Sequence, residues 1–93
     1  MATAADIRDA IKEAAADADA GRVTDAEYLQ IAAGRLRELP GLPLDAAVTP
    51  DVRADLHEAA TAAYREGHLS YADFYAVDVW LAHSSRGRRR PAR

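Results

Sequence analysis

The side chains able to do chemistry in this chain are few and poorly grouped. Its three histidines, His57, His68 and His83, are far apart, with no His-Glu-x-x-His and no pair at i, i+4. Glu66 and His68 flank Gly67 near Asp73, but without zinc-ligand spacing a solvated loop histidine is the expectation there. Ser70 is better used as a helix cap, and Ser84 and Ser85 stand at the edge of a tail with no base or oxyanion scaffold beside them. Cysteine is absent, which removes disulfides, thiolate metal sites and a cysteine nucleophile. No glycine-rich phosphate loop is present. The chain reads as a non-enzyme, with no catalytic residue, no metal ligand set and no cofactor.

Charge is the more informative property. All 15 acids and seven of the 12 basic residues lie in residues 1–83, a net of −8, while Arg86, Arg88, Arg89, Arg90 and Arg93 make the C-terminal end +5. Arginines on a flexible tail neutralise phosphates and release counterions, giving salt-dependent attachment to nucleic acid. Nothing beside them reads bases, and no aromatic is interleaved for stacking. The favoured reading of the tail is a solubilising end, or one that folds back on the acidic body.

The elements that must position these groups follow from periodicity. Thr3 to Asp6 caps a first helix, with Ile7, Ile11, Ala14, Ala15 and Ala18 at helical spacing, closed near Ala20 by Gly21. Thr24 to Glu27 is a capping box, and Val23 is placed to staple onto Tyr28. Helix two runs to about Leu39, burying Tyr28, Ile31, Ala32, Leu36 and Leu39, with Gly34 marking a close helix crossing. Residues 40–48, which include Pro40, Gly41 and Pro43, form a linker packed over the core by Leu42, Leu44 and Val48. Thr49-Pro50 starts helix three, with Val52, Leu56, Ala59, Ala60, Ala63 and Tyr64 on one side. Ser70 caps helix four.

One pattern occurs twice. Gly21-Arg22-Val23-Thr24-Asp25-Ala26-Glu27-Tyr28 returns as Gly67-His68-Leu69-Ser70-Tyr71-Ala72-Asp73-Phe74, an offset of 46. Each copy is a helix stop, a tight connection and a capped helix start. The predicted fold is therefore all-α. It has four helices as two tandem capped hairpins (4–39 and 49–83) in one small orthogonal or bundle-like domain over 1–83, followed by a flexible Arg-rich tail at 84–93.

The same pattern resembles the second half of an EF-hand calcium loop. With Gly21 or Gly67 at position six, ligand positions one, three and five fall on Ala16, Ala18 and Ala20, or on Ala62, Tyr64 and Glu66. The resemblance covers about eight residues per copy and lacks the ligand half, so it implies a degenerate EF-hand-like protein without calcium binding. A DNA-reading helix-turn-helix is disfavoured, because helix four opens with two acids and no Arg, Lys, Asn or Gln.

Helix four carries the functional expectation. Phe74, Val77 and Leu81 form one apolar stripe, while Tyr71, Tyr75, Val79 and Trp80 spread apolar area over other faces. Such a helix is central or covered by a partner. Asp78 interrupts it, either as an exposed break, the favoured reading, or as a buried partner of Arg35 or Arg37. The chain is expected to be a protein–protein interaction or regulatory module binding another protein, or itself as a homodimer, through Tyr71, Tyr75, Val79 and Trp80. The alternative is a nucleic-acid accessory protein held by Arg86, Arg88, Arg89, Arg90 and Arg93. With no signal-like N-terminus and no membrane-length apolar run, the expected location is cytoplasmic.

Overall fold

The computed structural model describes residues 3–43 and 48–87, with backbone alone at 85–87. Four α-helices make up the fold: α1 (Ala4–Asp19), α2 (Asp25–Leu36), α3 (Pro50–Arg65) and α4 (Tyr71–Gly87), with a 3-10 turn at Leu39–Gly41 after α2. No strand occurs among the described residues.

Each helix start is fixed by its own side chains. Thr3 accepts from the Asp6 amide at 3.2 Å while the Asp6 carboxylate accepts from the Thr3 amide at 3.0 Å. Thr24 and Glu27 repeat this reciprocal pair at 3.0 and 2.8 Å. Thr49 accepts from Val52 ahead of Pro50, and Ser70 accepts from Asp73 at 3.1 Å. Each cap contributes about 1 kcal/mol, a useful sum in a small domain.

The hairpin turns are closed by glycine. Gly21 and Gly67 hold φ of 80° and 83°, a left-handed conformation that a Cβ resists. The Gly21 amide donates to Ala18 and the Arg22 amide to Asp17; Gly67 donates to Tyr64 and His68 to Ala63. Both ends are Schellman caps, which satisfy the carbonyls that a helix terminus leaves open.

The core is a single cluster in which Ile7, Leu36, Leu39, Leu56, Val77 and Leu81 are almost fully enclosed. Helix α3 is the hub, packing against α1, α2 and α4, whereas the main neighbours of α4 are α3 and the 3-10 turn. Helix α4 thus lies at the edge of the fold, not at its centre.

Several expectations need correction. Helix α2 ends at Leu36, because Pro40 has no N–H to donate to the Leu36 carbonyl, and the 3-10 turn brings Leu39 into the core. Ile31 is 44% exposed: the inner line of α2 runs through Tyr28, Ala32 and Leu36, and Ile31 stands one residue, or about 100°, away. Helix α4 continues four residues past His83 to Gly87, since nothing in Ser84 to Arg86 breaks a helix and Ser84 keeps the inward register of Val77, Trp80 and Leu81. The proposed tail loses residues 84–87; its remaining arginines, and Leu44 of the linker, lie outside the described residues.

Gly34 marks no close crossing, for a Cβ built there meets nothing within 4 Å. Replacing Gly34 with alanine is expected to stabilise the protein by about 0.5–1 kcal/mol, raising the melting midpoint by roughly 4 °C. Thermal unfolding followed by circular dichroism checks this; a lower midpoint would mean that something does occupy the space.

Candidate protein-contact surface

The exposed aromatics gather where α3 meets α4. Tyr64 stacks on Phe74 with ring centroids 4.8 Å apart and planes at 17°, and Tyr71 lies 6.2 Å from Tyr64 and 6.1 Å from Tyr75. Stacked rings hold one another in place, so the cluster is a fixed surface feature and not a set of loose side chains. Tyr71 is 65% exposed, Tyr75 57% and Tyr64 39%. Tyr64 was expected on the buried side of α3; it points instead along the α3–α4 seam. Its place three residues before the Gly67 turn is the signal that could have revealed it.

The four site residues expected on α4 separate into two groups. Tyr71 and Tyr75 face outward, and Val79, one turn further on, is half-buried on the same side. Trp80 is not a surface anchor: it is 5% exposed, and its indole N–H donates to the Leu42 carbonyl at 3.1 Å. The tryptophan staples the linker to α4. Its rim joins Pro40, Tyr75, Ala76, Val79 and His83 around an open groove of about 420 Å³.

Polar side chains frame this surface. Asp78 is an exposed break in the stripe, 3.5 Å from His57 Nε2. Arg37 holds neither Asp78 nor an interior site. Its Nε meets Asp73 at 3.1 Å and its Nη2 donates to the His68 carbonyl at 2.9 Å, clamping the end of α2 to the start of α4. Arg86 stands on the last turn of α4, and Arg88, Arg89, Arg90 and Arg93 lie outside the described residues.

A second concavity, of about 280 Å³, lies between α1, α2 and α3 and is lined by Arg8, Lys12, Tyr28, Asp55 and Glu58 among others. Its charges neutralise one another: Asp55 accepts from Arg8 at 3.1 Å and sits 3.8 Å from Lys12. Burial, with Glu58 nearby, pushes the Tyr28 phenol above its ordinary range, so it keeps its proton at neutral pH. Among the described residues, no three His, Cys, Asp or Glu side chains converge as a metal-holding group. Nor is any described helix long and apolar enough to cross a membrane.

No family model, curated protein or solved structure matches this chain, so its function is read from its own geometry.

Proposed function

We propose that this chain is a small non-enzymatic protein–protein interaction or regulatory module whose contact surface is the outward side of α4, centred on Tyr71, Tyr75 and Val79. One observation carries the reading. Two tyrosines that are more than half exposed stand on one side of an edge helix whose other side is already committed to the core. Interfaces favour tyrosine because it adds large, rigid contact area with little side-chain entropy to lose. Trp80 supports the surface from below, its rim lining the groove beside Val79.

A photo-crosslinking amino acid in place of Tyr75, introduced in the source cell, tests the reading. A protein adduct, to another chain or to a second copy, is expected at position 75 and not at Glu13 on the exposed side of α1. Equal adducts at both positions, or none at 75, would end the proposal.

The arginine cluster at 86–93 favours a second reading, attachment to nucleic acid by phosphate neutralisation. Here, exchanging Arg88, Arg89, Arg90 and Arg93 for glutamine should weaken DNA retention and flatten its log–log salt slope by about 1 per arginine. Substitution is the right probe, because a deletion starting at residue 84 would also remove the buried Ser84. DNA retention that is unchanged between the two proteins would remove this reading.

A further inference from the structure

We infer that the occupant of the α4 surface is a second copy of this chain, its α4 running antiparallel to the first across a two-fold axis. This deepens the interaction reading above and rests on it.

The outward line of α4 runs Tyr71, Tyr75, Val79, Ala82, a spacing of four, four and three that keeps one side of a helix facing a neighbour. Side chains are large at its N-terminal end and small at its C-terminal end. Antiparallel pairing about a point near residue 77 sets Tyr71 against Ala82 of the other copy and Tyr75 against Val79. Each large side chain then meets a small one. A parallel pairing would stack Tyr71 on Tyr71 and leave Ala82 facing Ala82, with a gap between the helices.

The groove supplies the second half of the fit. Pro40, Tyr75, Val79 and His83 line a concavity at the height of Val79, where antiparallel pairing delivers the other copy's Tyr75. Knob and hole therefore lie on one surface, the self-complementarity that a two-fold contact requires. Antiparallel helices also set each macrodipole's positive end against its neighbour's negative end.

The body carries −8, which repels a second copy; along the line itself, residues 71–82, the formal charges are two, Asp73, which is 3.1 Å from Arg37, and Asp78, which is 3.5 Å from His57. Antiparallel pairing also brings the last turn of α4, which has Arg86 in its sequence, toward the acidic first turn of the other copy's α4 at Asp73.

Area sets the strength. Tyr64, Tyr71 and Tyr75, at 39%, 65% and 57% exposure, offer on the order of 300 Å² together. The small residues and groove rim enlarge this toward the low end of the standard interface, below about 800 Å² per partner. The expected dimer is weak and reversible, with a dissociation constant on the order of 10–100 μM.

Sedimentation equilibrium of the purified full chain between 5 and 500 μM tests the proposal, those concentrations bracketing the estimate of roughly 10–100 μM. The wild type should pass from monomer to dimer, and Tyr75→Ser, with its helix content intact, should bind itself at least about tenfold more weakly. Orientation is read with thiols, which the chain otherwise lacks. Tyr71→Cys mixed with Ala82→Cys should form a mixed disulfide under mild oxidation, whereas Ala82→Cys alone should not. A wild type that stays monomeric throughout, a dimer indifferent to Tyr75→Ser, or rapid disulfide formation by Ala82→Cys alone would each overturn it. A monomeric chain that still gives a position-75 adduct to another protein would defeat self-pairing while leaving the interaction reading standing. Loss of both would remove both.

Discussion

Trp80→Ala is expected to destabilise the protein by about 3–5 kcal/mol, the usual cost of truncating a buried tryptophan to alanine. A domain of this length has a total stability on the order of 5–14 kcal/mol, so the change removes a large share of it. Two losses combine. The indole, 5% exposed, leaves a void between α4 and the linker, and the Leu42 carbonyl loses the donor that lay 3.1 Å away. Trp80→Phe separates them: it keeps most of the ring volume and drops the donor, so about 1–2 kcal/mol is expected. Tyr75→Ser should change stability by less than about 1 kcal/mol, because its ring is mostly in water. Urea unfolding followed by circular dichroism measures all three; tryptophan fluorescence cannot serve, since this is the only tryptophan in the chain. If Trp80→Ala lost less than about 1 kcal/mol, the indole would not be packed as described. The contrast also fixes how the contact surface is probed. Changes at Trp80 would confound loss of fold with loss of partner, and changes at Tyr71 or Tyr75 would not.

What was legible in the sequence was local, and what was missed was not. Thr3, Thr24, Thr49 and Ser70 were readable as caps because a cap and its amide lie three residues apart. Gly21 and Gly67 were readable as stops for the same reason. Helical periodicity showed that α4 is apolar on more than one side, but it does not say which side the rest of the chain will cover. That depends on where Pro40 to Leu42 return, 38 residues before Trp80, and a linker whose carbonyl takes the indole N–H has no signature on the helix wheel. Arg37 is a similar case. Its clamp on Asp73 and on the His68 carbonyl spans 36 and 31 residues, and an arginine on an exposed helix end has a dozen equivalent readings until the tertiary contact exists. The site shifted for the same reason: Trp80 left it, and Tyr64 joined it from the other helix of the hairpin by stacking on Phe74.

Ser84→Ala is expected to stabilise the protein by about 1–2 kcal/mol. Ser84 is fully buried, and among the described residues its hydroxyl oxygen has no hydrogen-bond partner. A buried hydroxyl that has left water without a replacement partner costs about 1–3 kcal/mol, and alanine removes the polar atom while keeping the backbone and most of the volume. Helix propensity adds roughly 0.5 kcal/mol in the same direction, so only a larger gain reports on the hydroxyl itself. Ser84→Val tests the packing: it has two methyl groups more than Ser84→Ala in an enclosed position, and relative to that variant it should lose about 1–3 kcal/mol by crowding. Were Ser84→Ala instead to destabilise the protein by about 1 kcal/mol, the hydroxyl would be bonded, with the Trp80 carbonyl one turn back as the nearest acceptor in sequence. Either outcome bears on function, because Ser84 is the last inward-facing side chain described on α4 and ties its final turn to the core. That turn carries Arg86 in its sequence. A firmer anchor at Ser84 should therefore leave self-association unchanged or tighter, and sedimentation of Ser84→Ala beside the wild type reads that directly.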